Sequence, residues 1–501
     1  MITATKEFLA QIESYSEKRK REILNSPDEL EIRGTVYYVS SCGDDGNDGR
    51  SPDTPWKSLQ KVSEAELQEG DGVLFRRGDL FRGCIITHSG VSYGAYGVGE
   101  KPKFYGWDTG LDDPAKWTLV DPEHHIWLWE ERLLDPGTLV FNHGEAHSIK
   151  LIPSYIDGKF VCRNDESKLF DIKEEMVRDL DIYWLFEDIL TTVPSKGQNF
   201  PVPELGPNSL GQLYLRCDRG NPGEVFDSIE AVTRRAMFVV GSQPNIRIDN
   251  LCLKYIGLHA IAAGGKCVKG LLVSSCEIGW IGGTIQHYFG TDPNYPEGGR
   301  GTVTRFGNGI EIYGGCDGYI VENCYIYQCY DAGITHQITT GGSKFVMSDV
   351  LYKNNLIEYC VYSIEYFLEM NNNDTESYMS GIEMCGNILR NSGYGWGQQR
   401  HNTHTPAHIK GWSYTNKAQN YTIHDNIFDR AAYRMLHLVA EEDSSCPEMH
   451  DNVYIQYADN KLGQYGGNRI AEPENLVFDD TADEKIEKVF RDKNAQVYIL
   501  R

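Results

Sequence analysis

The stretch 316–367 constrains the fold more than any other part of the chain. It reads CDGYIVENCYIYQCYDAGITHQ and, after a polar gap, VLYKNNLIEYCVYSIEYF. With the second piece two residues shorter, Asn323 falls on Asn355, Cys324 on Leu356, and Ile334-Thr335-His336 on Ile364-Glu365-Tyr366. Each piece reads as a strand, an Asn-centred bend, a second strand and a tight turn into a third. Such a unit cannot bury its apolar side alone, but it can against copies of itself. Bends recur at Asn250, Ser275, Asn323, Asn355, Asn387, Asn426 and Asn452, followed by Leu251, Cys276, Cys324, Leu356, Ile388, Ile427 and Val453. A second apolar column runs through Ile261, Ile310, Ile334, Ile364, Trp396 and Leu436. Asn tolerates the left-handed backbone of a sharp bend, and its amides can stack along a solenoid axis. The pattern predicts an all-β chain built as a parallel β-helix. A β-sandwich would not repeat one register so many times. The bias of parallel crossovers makes the expected coil right-handed.

The 501 residues then divide into an N-terminal capping helix (1–30), first coils (31–107), an inserted antiparallel β domain (108–234), main coils (235–475) and a C-terminal cap segment (476–501). Phe8, Leu9, Ile12, Tyr15, Ile23 and Leu24 have helical spacing. A helix there is expected to lie over the open edge of the first coil. The coil pattern stops between Trp107 and Val232, where strands alternate with long polar and Pro-rich loops. Two further insertions, 286–305 and 395–414, leave near one column of the repeat and are expected to flank one groove. Tyr288, Tyr394, Trp396, Trp412 and Tyr414 in them could serve as platforms for sugar rings.

A net charge of −24 excludes nucleic acid and anionic membranes as partners and disfavours polyanionic substrates. The 13 cysteines form no regular framework, and no CxxC pair marks a zinc site. His401, His404 and His408 in HNTHTPAH read as loop, so no metal ligand set is expected. The N-terminus is charged and has no apolar signal core, which gives a cytoplasmic, thiol-reduced expectation. No run is long enough to cross a bilayer. The expected partner is an oligosaccharide, with self-association left open. No cofactor is expected beyond a Ca²⁺ among Asp44, Asp45, Asn47 and Asp48, where a solvated Asx turn is the competing reading.

Residues 35–105 carry an Asp/Asn/Gly-rich turn at 43–49, Pro55-Trp56, a short helix over 56–67, and Gly70-Asp71-Gly72-Val73 opening a strand. This stretch resembles the opening of the pectate-lyase-like right-handed β-helix proteins. With the inserted β domain, the layout is similar to glycoside hydrolase families 120 and 141. The likeness is architectural. It implies a glycoside hydrolase, and by family likeness a xylo- or fuco-configured sugar.

The column after the second apolar position reads Ala262, Glu311, Thr335, Glu365, Gly397, His437. Alternation puts these side chains on one outer face, with rungs about 4.8 Å apart. Glycoside hydrolysis needs a carboxylic acid to protonate the leaving oxygen and a carboxylate to attack or to activate water. The candidate pair is Glu365 with Asp331, one rung away. Glu311 is the substitute partner, and His336 is a further candidate. Gln337, Tyr366, Trp396, Gln398, Arg400 and His437 are the expected substrate contacts. The predicted function is a glycoside hydrolase acting on a neutral or lightly charged oligosaccharide. The alternatives are a polysaccharide lyase and a non-catalytic carbohydrate-binding solenoid. Lyases of this fold use Lys or Arg as base, and 306–370 offers only Lys344 and Lys353, neither on the column.

Overall fold

The computed structural model describes residues 2–151, 210–290, 301–371, 373–400, 405–412, 414–467 and 476–501. It also describes the strands Ser154–Ile156, Lys159–Cys162, Asp165–Leu169 and Trp184–Glu187. The chain is mostly β, with three large sheets of 10, 14 and 9 strands. One coil runs Cys316–Glu322 (sheet 1), Tyr325–Cys329 (sheet 2) and Ala332–Thr339 (sheet 3). The next runs Val346–Lys353, Leu356–Glu358 and Tyr362–Glu369, each strand parallel to its predecessor. This is a solenoid-like arrangement. Among the described residues, no helix is long and apolar enough to cross a membrane.

The interior column on sheet 3 is Ile261, Ile310, Ile334, Ile364, Ile409 and Leu436, all fully buried. Each such side chain contributes roughly 1.5–3 kcal/mol of burial. Ile409 takes the place expected of Trp396. The segment Ala407–Gly411, read from sequence as part of a loop insertion, is a regular rung of sheet 3. Its apolar signal is short and is interrupted by His408 and Lys410.

The bend between sheets 1 and 2 is also shifted from the sequence alignment. Strand register equates Glu322 with Lys353 and Tyr325 with Leu356. Asn323 therefore matches Asn354, and Cys324 matches Asn355. The bend holds two residues with different tasks. The first adopts the left-handed conformation: Asn250, Ser275, Asn323, Asn354, Gly386, Asp425 and Asp451, with φ between 51° and 65°. The second points inward: Leu251, Cys276, Cys324, Asn355, Asn387, Asn426 and Asn452, all buried. The last four form an amide ladder. Asn355 Nδ2 donates to Asn387 Oδ1 (3.0 Å), Asn387 to Asn426 (2.9 Å) and Asn426 to Asn452 (3.0 Å). The doublet Asn354-Asn355 made the one-residue slip invisible in the sequence.

A second left-handed column, Tyr255, Trp280, Gln328, Tyr359, Asn391 and Arg430, lies within or at the end of the sheet 2 strands. Each such non-glycine residue costs about 1–2 kcal/mol. The cost recurs from coil to coil, so this turn belongs to the architecture.

The N-terminal helix, Lys6–Leu24, does not cover the first coil. Ile23 packs on Tyr325, Leu356 and Ile388, while Ile12 packs on Ile455 and Leu500. Glu13 pairs with Arg390, and Arg19 Nη1 donates to the Asn354 carbonyl (2.7 Å). The helix thus lies along the outer face of sheet 2, starting near its last rungs, where Ile2–Thr3 pairs with Gln496–Leu500. Its apolar stripe covers apolar residues that this sheet turns outward, Tyr325, Leu356 and Ile388 among them. At the last coil Phe478, Ala482, Ile486 and Phe490 are buried in the solenoid core.

After Lys103–Tyr105 the chain leaves the coils, and coil pairing resumes at Ile229–Thr233 on Cys252–Ile256. Between them Trp117–Asp121, Ile126–Trp129, Leu213–Arg216 and Trp184–Glu187 pair antiparallel. Trp117, Trp129, Leu213 and Leu215 share a separate core. The predicted insertion 286–305 lies largely within the hairpin Thr284–Gly290/Gly301–Phe306, which pairs with Ser154–Ile156. Its tip, 291–300, is outside the described residues.

Candidate active site

The outer column of sheet 3 runs Ala262, Glu311, Thr335, Glu365, Lys410 and His437. Glu311 and Glu365 are two rungs apart, about 9–10 Å along the stack, with Thr335 between them. Lys410 occupies the rung expected of Gly397, because 407–411 supplies that strand. Glu311, Glu365 and Asp331 are all buried, so the column lies under cover and not on an open surface.

Each acid has a distinct environment. Asp331 precedes the strand Ala332–Thr339 and forms an ion pair with Arg400 Nη1. Both oxygens of Glu365 accept from neutral donors, Oε1 from Trp412 Nε1 and Oε2 from Gln337 Nε2 (2.9 Å). Glu311 Oε2 accepts from Asn308 Nδ2 and from the Thr335 hydroxyl (2.9 Å). That hydroxyl also accepts the Ile312 N–H (2.9 Å).

Burial raises all three acids. Glu311 is pushed up to about 7 by burial, against the two hydrogen bonds. Glu365 is pushed up to about 8, first by burial and then by the charge of Asp331. Burial raises Asp331 too, but Arg400 opposes it directly. A guanidinium favours the ionised form, and neutral donors in a desolvated site do so less. Both acids are raised, but Arg400 is the first opposing cause at Asp331, whereas at Glu365 it ranks behind the Trp412 hydrogen bond. His259 Nδ1 accepts the Asn308 N–H (3.1 Å), and burial lowers its pKa to about 4. Asn308 Oδ1 accepts the Ala332 N–H (2.7 Å), which ties this rung to the start of the next.

The other expected site residues divide. Gln337 and Arg400 join the carboxylates. His437 shares the outer column beyond Lys410, where its Nδ1 donates to the Gly411 carbonyl (2.6 Å). Burial, then Lys410 and Arg434, push His437 down to about 2, so it is neutral. His336 and Tyr366 are not in the column. They stack on each other inside the coil, centroids 5.2 Å apart, and His336 Nδ1 meets the Tyr352 hydroxyl (2.9 Å). Alternation from Thr335 and Glu365 requires this inward direction. Trp396 is buried against Tyr330, donating to the Gln328 carbonyl (2.7 Å), and is no open platform. Gln398 is exposed on the short turn Trp396–Gln399.

Asp44, Asp45 and Asp48 direct oxygens onto the N–H groups of Gly46, Lys57, Ser58 and Arg50. Asp44 and Asp48 accept from the N–H two residues on, as Asx turns do, while Asp45 ties the loop to the start of the short helix at Ser58. His408 is buried against Ser392 and Phe428. His401 and His404 lie outside the described residues.

Sequence reasoning named Tyr414 but missed His259, Asn308, Lys410 and the two other aromatics of a shelf beside the acids, Tyr313 and Phe367. Tyr313, Gln337 and Phe367 form the outer column two residues beyond the acids. Phe367 contacts Tyr313 (6.1 Å) and Tyr414 (5.1 Å), and both tyrosines are exposed. The register of Glu311 and Glu365 would have located Tyr313 and Phe367. Lys410 required recognising 407–411 as a strand.

No family model matches the chain. A lacto-N-biosidase of Bifidobacterium longum subsp. longum is 53% identical over 81 residues, a match spanning 14% of this chain and 5% of that protein. Among solved structures, XylC in complex with xylose is similar with a TM-score of 0.39 and 11% identity, covering 93% of this chain and 82% of that one. A GH136 lacto-N-biosidase from Eubacterium ramulus is similar with a TM-score of 0.37 and 12% identity, covering 98% and 71%. A rhamnogalacturonan lyase follows at 0.33 and 10%, covering 85% and 74%. These distant relations are to carbohydrate-active enzymes, hydrolases and a lyase. None is a specific match to family 120 or family 141.

Proposed function

We propose that this chain is a glycoside hydrolase cleaving a neutral or lightly charged oligosaccharide in a groove along sheet 3 of a right-handed β-helix. Glu365 is the general acid, and Asp331 is the nucleophile or the base for water. The observation that carries this reading is the split environment of two buried acids. Asp331 is ion-paired with Arg400, which opposes the burial that raises it, while Glu365 accepts from the neutral donors Gln337 and Trp412 and is raised to about 8 by burial and then by Asp331, with Arg400 a weaker opposing charge. Environments that push two titratable groups apart mark acid and base assignments. Glu311 is the substitute partner for Glu365, and an inverting outcome would follow from that wider pairing.

A lyase is the second reading. Lys410, buried and one rung from Glu365, puts a cation on the column, where neither Lys344 nor Lys353 lies. One screen separates the two. Aryl glycosides, including lacto-N-biosides and xylosides, and uronate-containing oligosaccharides are incubated with the protein. Aryl or reducing-end release without new ultraviolet absorbance supports the hydrolase. Absorbance from an unsaturated uronate would replace it with the lyase, and binding with neither signal would leave a carbohydrate-binding solenoid.

A further inference from the structure

On the outer face of sheet 1, far along the coil from the acids, three ligand-bearing side chains converge. Glu383 and Cys385 lie two apart on the strand Tyr378–Cys385, so they share a face. His424, on the next rung, is in register with Cys385. One carboxylate oxygen, the Cys385 sulfur and one His424 ring nitrogen lie within 4.8 Å of one another. Asp425 sits in the left-handed position of the bend, which turns its carboxylate back onto His424 Nδ1 (2.7 Å). The same Asp–His contact recurs one rung on, between Asp451 and His450 (2.8 Å).

The hydrogen-bond arithmetic of His424 is the telling feature. With Nδ1–H donated to Asp425, a neutral ring presents a lone pair at Nε2. That atom faces Glu383 Oε1 at 3.2 Å, also an acceptor. Two acceptors at that distance require a proton or a cation between them. A carboxylate behind one ring nitrogen, with the other nitrogen aimed at further ligands, is the arrangement that orients metal-binding histidines. The third ligand is the Cys385 thiol, 8% exposed. A cation bound there would displace the thiol proton.

We infer that Glu383, Cys385 and His424 form a site for one thiophilic divalent cation such as Zn²⁺, with Asp425 orienting His424 and water completing a tetrahedral set. An S/N/O donor set of this kind suits Zn²⁺ and not Ca²⁺ or Mg²⁺. The cation would clamp the strands Tyr378–Cys385 and Ala418–His424 from outside. The ligands come from neighbouring coils, so the absence of a CxxC spacing does not bear on the site.

The test is titration of the chelator-treated full chain with Co²⁺. One equivalent should give a thiolate-to-cobalt charge-transfer band in the near ultraviolet, displaced by Zn²⁺. Cys385→Ser should abolish the band, and His424→Gln should weaken binding at least about 100-fold. Asp425→Asn should weaken it about tenfold. The exposed Cys42→Ser should change nothing. If Cys385→Ser does not fold, Glu383→Gln, at an exposed position, should weaken binding at least about tenfold. A wild-type protein with no band, a band that survives Cys385→Ser, or unchanged affinity in Glu383→Gln would overturn the assignment.

Discussion

The coils carry two buried polar columns. At the bend between sheets 1 and 2, Asn355, Asn387, Asn426 and Asn452 donate along the stack and receive backbone N–H groups from the coil before. On sheet 3, Glu311 and Glu365, with Asp331 beside them, are comparably buried but crowd like charges around Arg400. The amides are neutral and satisfied, so each contributes about 1 kcal/mol per hydrogen bond and fixes register. The carboxylates hold raised proton affinities, which costs folding free energy near neutral pH. Polar burial at the ladder is structural. At the acids it is a cost that a site with perturbed titration accounts for.

The largest effect expected is for Asp331→Asn, which removes the carboxylate proposed to react and takes the ion-pair partner from Arg400. Turnover should fall at least about 10³-fold, and unfolding free energy should fall by about 3 kcal/mol. Steady-state assays with urea unfolding would check both, and an active or equally stable variant would break the pairing. Next, Asn387→Ala breaks the ladder at its middle, freeing buried groups on both neighbours. A loss of about 2–3 kcal/mol is expected, with the folded protein still active within a few-fold. Asn387→Cys should cost less, because Cys276 and Cys324 hold the same column in earlier coils. Equal losses for the two variants would contradict the register described for the bend.

The third difference is in pH dependence. An acid with a raised folded pKa keeps its proton in the folded state where the unfolded chain has lost it. For Glu365 that window runs from its ordinary 4.5 to about 8. Stability should be greatest below the window and decline through it, by up to about 1.4 kcal/mol per pH unit for one group. In Glu365→Gln this component should vanish, whereas in Asn387→Ala it should persist. Urea midpoints across about pH 3.5–9 would show it (a range set by about one unit on either side of the window). The smallest effect concerns the shelf. Tyr313→Ala should raise KM for longer oligosaccharides about three- to fivefold, roughly 1 kcal/mol or less, and leave aryl monosaccharides unchanged.

Much of the sheet 3 column was legible in sequence because Ile310, Ile334 and Ile364 repeat with an acid or Thr after each. The same alternation implied that His336 and Tyr366 point inward, and that implication outweighs their chemical appeal as site residues. The bend misaligned by one residue because either Asn of Asn354-Asn355 satisfies the pattern. The rung 407–411 hid behind a His and a Lys in a short segment after Pro406. The left-handed column Tyr255, Trp280, Tyr359 and Arg430 carries no Gly or Asn signature in most coils, so only backbone angles reveal it. The position of the N-terminal helix depended on which sheet exposes apolar side chains outward, a fact of tertiary structure.

The most direct measurement of the central claim is turnover and thermal unfolding of Glu365→Gln, side by side, on the best substrate from the glycoside screen. The substitution keeps shape and removes both the acid and a buried charge. Turnover is expected to fall at least about 10³-fold, about 4 kcal/mol in barrier, with a melting temperature equal to or above wild type at pH 8. Turnover within about tenfold of wild type, about 1.4 kcal/mol, would show that Glu365 is not the acid and that the buried column is not the catalytic site.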